Sequence, residues 1–564
     1  MHDLVFRRAS VVDGTGAPPR SADVAVADGT IVEIADVVDE GRREIAAEGL
    51  VLAPGWVDIH THYDGQVTWD PEVSPSSWHG VTTVVMGNCG VGFAPARPDG
   101  HDFLIELMEG VEDIPGTALH EGIDWGWESF PEYLDAVAAS PLMVDVVAQV
   151  PHAALRAYVL GARAHDEASV EETHEMARLV EEALRAGAAG FTTSRTILHR
   201  SKHGFVPGTH SSVDELLAIA DAVGRAGHGV FQMISDHQGA GQDHELLAEL
   251  ARRTGDTVTY TVAQSPLAPD AWREALDEAS RRAADGLDLR PQVGCRPTGM
   301  LFGLQSTMHP FVSHPTMRDL ARRPLDERVA ELRRPEVRER LLAEESMAKN
   351  PVNRMLMSRW DQMFPLGDPP DYEPPPSTSV AAMAAREGRT PQEVVLDLLL
   401  ERDGRSFLFA PLASYVGGDH EVLREGMQHP STVLGLSDGG AHCGLICDAS
   451  FPTYLLTHWV RDRQRGPRLA LEQAVHLQTA RTAAAYGLTD RGTIEVGKRA
   501  DLNLIDLERL TIGAPEMIFD LPAGGRRLVQ RADGYRLTVQ AGEVTFEDGQ
   551  PTGARPGRLV RARA

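Results

Sequence analysis

Residues 53–66 read APGWVDIHTHYDGQ, and in this stretch an apolar run ends in two histidines separated by one residue. Side chains alternate along a β-strand, so His60 and His62 would point to the same face of a strand that ends here. Two imidazoles on one face suit a divalent metal. The alternative is a polar strand end whose histidines bond to neighbouring carbonyl groups. The pair alone does not decide between the two.

Short apolar, β-branched runs recur along the middle of the chain, and helical patterns separate several of them. The candidate strands lie in LAPGWVDIHTH, GVTTVVMGNCG, MVDVVAQVPHAAL, AGAAGFTTSRT, GHGVFQMISDH, GDTVTYTVAQSP, LRPQVGCRP and HPSTVLGLSDGGAH. Helical patterns include ASVEETHEMARLVEEALRAGA, SVDELLAIADAVGRAG and DHELLAELARRTG. This alternation predicts an α/β fold with a TIM-like (β/α)8 barrel, whose chemistry lies at the C-terminal ends of the strands. A doubly wound open sheet is the alternative, although no glycine-rich dinucleotide fingerprint follows the first strand.

Both ends of the chain are rich in short strands and turns. Asp28-Gly29, between alternating apolar residues, is a hairpin signal. We expect residues 1–52 and 492–564 to form one small β-sandwich domain built from both chain termini. The barrel would then occupy residues 53–491.

Residues 298–377 interrupt the strand–helix rhythm. A segment of this length is too long for an ordinary barrel loop and predicts an insertion or lid near the active face. Its proline-rich end, FPLGDPPDYEPPPSTS, is typical of an extended linker.

Composition limits the partners and the compartment. The formal net charge of −28 and the pI of about 5.2 argue against nucleic acid or an anionic membrane surface as a binding partner. Both are negatively charged and bind basic patches on proteins. The N-terminal stretch lacks the pattern of a signal peptide, and no apolar run reaches membrane-spanning length. The four cysteines are too few and too scattered for a disulfide framework. We expect a cytoplasmic protein with a small-molecule substrate; homo-oligomerisation is left open.

Cys89 and Asp438 also come at the ends of apolar runs. In the predicted barrel, the C-terminal ends of these strands would lie at the same end of the barrel as His60 and His62. A free cysteine is usually a small buried apolar residue, and an aspartate before two glycines can cap a helix. Alternatively, Asp438 could bind the metal or take a proton from a metal-bound water. Four residues would then lie at strand ends on one end of the barrel, which favours a shared site: His60, His62, Cys89 and Asp438.

Several segments together resemble the amidohydrolase superfamily, in particular the N-acyl-D-amino-acid deacylase (D-aminoacylase) family. They are PGWVDIHTHYDGQ, GNCGVGFAP, SDGGAH and DRGTIEVGKRADLNLIDLERL, and the resemblance covers nearly the whole chain. It implies a zinc site at His60, His62, Cys89 and Asp438, with Asp438 also acting as the general base. One ion is expected, and another divalent metal is the alternative.

The sequence departs from the family pattern on two middle strands, where the family carries a metal-binding histidine each. The apparent counterparts here are Gln232–Ser235 and Val262–Ser265, which contain no histidine. His237 lies just beyond the first segment and is a candidate replacement. We therefore expect the tightly held metal of the family to be absent, and any metal to lie at the four residues named above.

Three residues are candidates for substrate binding: Arg195, Arg296 and His442. The free carboxylate of an N-acyl amino acid needs a partner, and a guanidinium offers a bidentate one. The alternative for the arginines is an ordinary ion pair within the protein. His442 lies four residues beyond Asp438 and could contact a substrate or a metal ligand.

These observations lead to a metal-dependent hydrolase of C–N bonds other than peptide bonds. The family resemblance implies that its leading form is deacylation of an N-acyl-D-amino acid by a metal-activated water. One alternative is a hydrolase of cyclic amides. Another is a degenerate, non-catalytic barrel used for binding, which the missing middle-strand histidines favour.

Overall fold

The computed structural model describes residues 1–236 and 240–563. Its first strands are β1 (His2–Val11), β2 (Arg20–Ala27), β3 (Thr30–Ala35), β4 (Gly41–Ala46) and β5 (Val51–Pro54). The predicted turn joins β2 to β3, and its residues Asp28 and Gly29 have φ values of 49° and 73°. Positive φ at both positions is what a tight two-residue hairpin turn needs, so this prediction is confirmed.

The next part of the chain alternates strands with helices, as predicted. Its strands are β6 (Trp56–Asp58), β7 (Val81–Met86), β8 (Asp145–Ala148), β9 (Val150–Pro151), β10 (Gly190–Arg195), β11 (Arg200–Ser201), β12 (Gly204–Phe205), β13 (Val230–Ser235), β14 (Val258–Thr261) and β15 (Leu289–Val293). Its helices are α1 (His101–Glu112), α2 (Gly116–Gly122), α3 (Phe130–Ala139), α4 (His152–Leu160), α5 (Val170–Arg185), α6 (Val213–Ala226), α7 (Ala240–Thr254) and α8 (Ala271–Ala284). The three quoted helical patterns are α5, α6 and α7. Helix α5 begins at a capping box, in which Ser169 and Glu172 bond each other's backbone N–H.

A second hydrophobic core lies in the segment predicted to be an insertion. This segment contains β16 (Gly299–Phe302), α9 (Pro315–Leu320), α10 (Leu325–Leu332), α11 (Pro335–Ala343), α12 (Pro351–Leu356), β17 (Phe364–Pro365), α13 (Val380–Glu387), α14 (Pro391–Leu400) and β18 (Leu408–Pro411). Its core residues run from Met300 to Ala410, beyond the predicted limit at residue 377. The linker prediction for the proline-rich end is wrong, because Tyr372 and Glu373 are buried there and pack against the rest of the protein.

The remaining elements return the chain to the sheets of its first half. They are α15 (Glu421–Gln428), β19 (Val433–Leu434), α16 (Phe451–Tyr454), a π-helix (Leu455–Asp462), α17 (Leu471–Gln478), α18 (Ala480–Ala485), β20 (Leu502–Ile505), β21 (Thr511–Ile512), β22 (Glu516–Leu521), β23 (Gly525–Val529), β24 (Ala532–Asp533), β25 (Tyr535–Gln540), β26 (Glu543–Glu547) and β27 (Gln550–Pro551). Among the described residues, no helix combines the length and the apolar character that crossing a bilayer requires.

All eight predicted strands of the middle segment are present, in two parallel sheets. One sheet has the order β6-β7-β8, and the other has the order β9-β10-β13-β14-β15-β19. Only Gln149 separates β8 from β9, and Thr61 forms a parallel bridge with Gly439, beyond β19. The two sheets are therefore adjacent at both of their edges. This brings the ends of β6, β7 and β19 together.

The two ends of the chain share one nine-stranded sheet. Its order is β27-β26-β25-β20-β5-β1-β2-β3, with β4 paired to β1. β5 pairs antiparallel with β20, from Val51 opposite Ile505 to Pro54 opposite Leu502. Because β5 leads directly into β6, this sheet fixes the start of the strand that the two histidines follow.

Candidate metal centre

His60, His62 and Cys89 form a buried cluster at the end of β6. One ligand atom from each residue lies within 4.8 Å of the other two. Nε2 of His60 lies 3.2 Å from Sγ of Cys89. The two imidazoles and the sulfur therefore face a common point, as their strand-end positions predicted.

Local backbone geometry turns Cys89 towards the histidines. After β7, Gly87, Cys89 and Gly90 all have positive φ, at 84°, 57° and 72°. A side chain on Gly90 would come within 3.0 Å of the backbone of Thr193 on β10, so this position requires glycine. The backbone N–H of Cys89 donates to Oε1 of Gln232 at 3.1 Å.

Asp438 borders the same cluster from the turn after β19. Its Oδ1 lies 3.4 Å from Nε2 of His60 and 3.8 Å from Nε2 of His62. The preceding residue, Ser437, donates its hydroxyl to Oδ2 of Asp58 at 2.6 Å, which ties this turn to the end of β6. Asp438 itself has φ = 47°, a conformation that aspartate and asparagine adopt more readily than most residues.

The electrostatics of the cluster favour a positive charge. Burial would lower the pKa of His60, but Cys89 and Asp438 outweigh it and raise this pKa to about 9. Burial also opposes the charged form of His62, yet Glu112 and Asp438 raise its pKa well above the ordinary value. Burial would raise the pKa of Asp438, but His62, His60 and His442 hold it below its usual range. A cation at this point would meet the same anionic groups.

The donor set fits a zinc-type ion. Both ring nitrogens of His62 are buried and have no hydrogen-bond partner among the described residues. Buried polar atoms rarely stay unpaired, and a bound ion is one explanation. Imidazole nitrogen, thiolate sulfur and carboxylate oxygen are the ligands that Zn²⁺ takes in proteins.

Glutamines lie near the cluster on two strands. Nδ1 of His60 lies 2.6 Å from Oε1 of Gln292 on β15, and an amide oxygen can only accept, so Nδ1 carries the proton. Once a metal displaces the second proton of the ring, this position of the Nδ1 proton would leave the lone pair of Nε2 directed at Cys89 and Asp438. Gln232 on β13 holds the backbone of Cys89, as described above. His237, the candidate replacement ligand, lies outside the described residues.

The three predicted substrate-binding residues have different surroundings. Arg195 donates to the carbonyl of Ser211 at 3.1 Å. Arg296 is 1% exposed and donates to Asp448 Oδ1 at 2.5 Å, and its guanidinium lies 3.8 Å from the centre of the Tyr372 ring. Its charge is thus already matched within the protein.

His442, the third candidate, lies next to Asp438. Its Nε2 is 3.7 Å from Oδ2 of Asp438, and its side chain is 21% exposed. Of the three, it is the residue whose side chain directly faces a member of the cluster.

The sequence did not predict a role for Glu112, and it placed His199 only as a neighbour of the candidate Arg195. Glu112 is the last residue of α1, is 1% exposed, and has its carboxylate between His62 and His442. His199 bonds through Nδ1 to Oγ of Ser194 at 3.0 Å, and burial lowers its pKa to about 4, so its ring is neutral at pH 7. The only sequence signal for Glu112 was a charged residue on a helix that is otherwise apolar on its buried side.

A second cluster of suitable residue types lies elsewhere in the protein. Glu373, His420 and His458 have ligand atoms within 4.8 Å of one another. Arg463, however, reaches both carboxylate oxygens of Glu373, at 3.0 and 3.2 Å. A guanidinium at that carboxylate repels a metal ion, so this cluster is a buried ion-pair network.

A small pocket adjoins Asp438. Its lining is mostly apolar or uncharged, and its arginine, Arg527, is paired with Asp520 at 2.6 Å. The lining residues are Gln66, Pro75, Asp438, Gly440, Ala441, Cys443, Ile446, Cys447, Asp448, Ala449, Arg527 and Leu528.

Comparisons with known proteins found a matching family and similar chains. A family model described as "Amidohydrolase family" matches residues 43–546. The chain is 29% identical to an N-acyl-D-aspartate deacylase and 27% identical to a D-aminoacylase, both of Alcaligenes xylosoxydans xylosoxydans. These alignments cover 99% of this chain and 95% and 97% of the relatives. A solved N-acyl-D-glutamate deacylase from Bordetella bronchiseptica, complexed with zinc and a phosphonate inhibitor, superposes with a TM-score of 0.65 at 23% identity. Each chain is covered in full.

Proposed function

The chain belongs to the amidohydrolase family, and we propose that it hydrolyses the amide bond of an N-acyl-D-amino acid. One observation carries the proposal: three ligand-type side chains from two strands converge within 4.8 Å, with Asp438 beside them. The relatives named above, which align over nearly the whole chain, support the D-amino-acid class of substrate.

A single zinc ion would be held by His60, His62, Cys89 and Asp438. When bound, a divalent metal would polarise the amide carbonyl and lower the pKa of a water molecule towards 7. The thiol and the two imidazoles favour zinc over magnesium or calcium, which prefer oxygen ligands.

Asp438 would act as the base and then as the acid. Its depressed pKa keeps the carboxylate ionised at neutral pH, ready to accept a proton from the attacking water. When Asp438 then delivers this proton to the leaving nitrogen, its carboxylate would be ionised again. Its Oδ1 faces the histidines and its Oδ2 faces His442, so one oxygen can contact the metal side while the other contacts the substrate side.

His442 is the best-placed candidate for the substrate, because it is partly exposed and adjoins Asp438. Arg195 stays a candidate for the substrate carboxylate. Arg296 would first have to release Asp448, and losing that buried partner is costly.

We infer that the two parallel sheets are parts of one closed eight-stranded barrel, with β8 and β9 counted as one strand. The bridge between Thr61 and Gly439 and the adjacency of β8 and β9 support closure. Residues 1–52 and 492–564 would form the small β domain. The segment with the second core would be an insertion at the active face.

A cytoplasmic location is also proposed. All four cysteines are free and buried, in keeping with a reducing compartment.

A binding protein without catalysis is the second candidate. It is favoured by the absence of histidine from β13 and β14, where Gln232 instead bonds the backbone of Cys89. The two candidates differ in whether the bound metal acts on a substrate.

The test combines metal analysis with a substrate panel. Purified protein is expected to hold near-stoichiometric zinc and to release amino acid from N-acetyl-D-amino acids in preference to their L-enantiomers. Hydantoins and lactams in the same panel test the cyclic-amide alternative. Zinc without turnover of any amide would favour the binding protein, and no zinc after careful handling would contradict the proposed centre.

A further inference from the structure

Glu112 lies where a carboxylate can hold the second histidine of the pair. Its Oε1 is 3.6 Å from Nδ1 of His62, and its Oε2 is 3.5 Å from Nε2 of His442. Side chains of Glu112 and His62 are 2% and 1% exposed, so both groups are shielded from bulk solvent. Among the described residues, neither Nδ1 of His62 nor Oε1 of Glu112 has a hydrogen-bond partner.

Nδ1 of each histidine of the pair has an oxygen nearby, at 2.6 Å and hydrogen-bonded for His60 and at 3.6 Å without a hydrogen bond for His62. Nδ1 of His60 faces the neutral amide oxygen of Gln292, whereas Nδ1 of His62 faces the carboxylate of Glu112. A metal-binding histidine commonly donates its second ring N–H to a carboxylate or carbonyl. That bond fixes the tautomer and raises the basicity of the ligating nitrogen. A carboxylate does this more strongly than an amide.

The end of α1 is also fastened to the turn that carries Asp438. The carbonyl of Glu112 accepts the backbone N–H of His442, and the next residue, Asp113, accepts the N–H of Gly444 at 3.0 Å. Asp113 has φ = 52°, the left-handed conformation in which helix α1 ends. Two hydrogen bonds, from Glu112 and from the residue after it, therefore hold the end of α1 against that turn.

We propose that Glu112 is a positioning residue for the metal centre: it accepts the Nδ1 proton of His62 and so directs the Nε2 lone pair at the ion. This rests on the proposed function only in requiring a metal at this centre. Nothing in the inference depends on which amide, if any, is hydrolysed.

The experiment compares zinc binding by Glu112→Gln, Glu112→Ala and the wild type. Glu109→Gln is the matched control, since Glu109 is an exposed glutamate one turn earlier on the same helix. Dissociation constants are measured by competition with a chromogenic chelator at constant pH. The absorption spectrum of the Co²⁺-loaded protein reports the ligand field, and thermal unfolding of the metal-free protein reports the fold.

Glu112→Ala is expected to weaken zinc binding about 10- to 100-fold. Glu112→Gln should fall between Glu112→Ala and the wild type, because its amide oxygen can still accept the Nδ1 proton. Glu109→Gln should bind like the wild type. The cobalt spectrum should change only in the Glu112 variants.

Equal dissociation constants for the wild type and Glu112→Gln, with an unchanged cobalt spectrum, would overturn the inference even if Glu112→Ala failed to fold. A lower unfolding temperature with unchanged zinc affinity would reduce Glu112 to a fold-stabilising residue. A wild type that binds no zinc would also overturn it. Absent hydrolysis of N-acyl-D-amino acids, with the expected order of zinc affinities, would overturn the proposed function alone.

Discussion

Nε2 of His60 lies 3.4 Å from Oδ1 of Asp438, and the backbone N–H of Asp438 donates to the carbonyl of His60 at 3.1 Å. The side-chain contact and the backbone bond join the same two residues, from the ends of β6 and β19. The position of the proposed base relative to the proposed ligand is thus fixed by main-chain geometry. Substitutions of either side chain should therefore change chemistry more than structure.

Asp438→Asn should lower kcat/KM for an N-acetyl-D-amino acid by about 10²- to 10⁴-fold, the usual contribution of a positioned general base. Asparagine tolerates the positive φ at this position, so circular dichroism should be unchanged. Asp548→Asn is the matched control, because Asp548 has the same φ of 47° but lies in the terminal sheet segment. Undiminished turnover by Asp438→Asn would rule out its role as base.

Metal removal should lower stability as well as activity. A ligand that binds only the native state adds about 2.7 kcal/mol at a free concentration 100 times its Kd. Dialysis against a chelator should therefore lower the Tm, and zinc should restore it. His60→Ala should show no such rise on zinc addition. An identical Tm for wild-type protein with and without zinc would contradict the proposed centre.

Arg296→Ala should destabilise the fold by about 3–5 kcal/mol, because it leaves the buried carboxylate of Asp448 unpaired. The change is measured by urea unfolding. Arg509→Ala, which removes a guanidinium that is 81% exposed, serves as the control and should have little effect. Unchanged stability with a raised KM would instead support a substrate role for Arg296.

Acid should weaken the contact between α4 and α6 through Glu215. Burial opposes its ionisation, but His152 and Arg156 hold its pKa at about 2, below the ordinary 4.5. A depressed carboxyl pKa contributes stability that is present above pH 4.5 and is lost as the pH falls towards 2. The shift corresponds to about 3 kcal/mol.

Glu215→Gln should therefore be less stable than the wild type at pH 7 and lose less free energy of unfolding between pH 4.5 and 2. Urea titrations at several pH values measure both. Glu171→Gln, at an exposed position on α5, should keep the wild-type pH dependence. If the free energy of unfolding depended on pH in the same way for Glu215→Gln and the wild type, the Glu215 carboxylate would not be the source of the loss of stability in acid.

Local patterns were sufficient to predict the strands, several helices and the three clustered ligand candidates. Strand alternation placed His60 and His62 on one face, and the helical pattern ASVEETHEMARLVEEALRAGA predicted α5. Glu112 could not be found in this way, because its role depends on α1 meeting the turn after β19. The burial of Tyr372 and the pairing of Arg296 with Asp448 likewise depend on contacts between distant segments. A proline-rich composition predicts an extended backbone but does not show whether that backbone is covered.

The antiparallel pairing of β5 with β20 has a consequence for biosynthesis. The edge of β5 leaves the ribosome long before its partner is translated, a delay on the order of 20–90 s at typical elongation rates. An unpaired strand edge invites pairing with other chains. The nascent polypeptide therefore has to keep that edge covered, by a chaperone or by transient contacts of its own, until translation is almost complete.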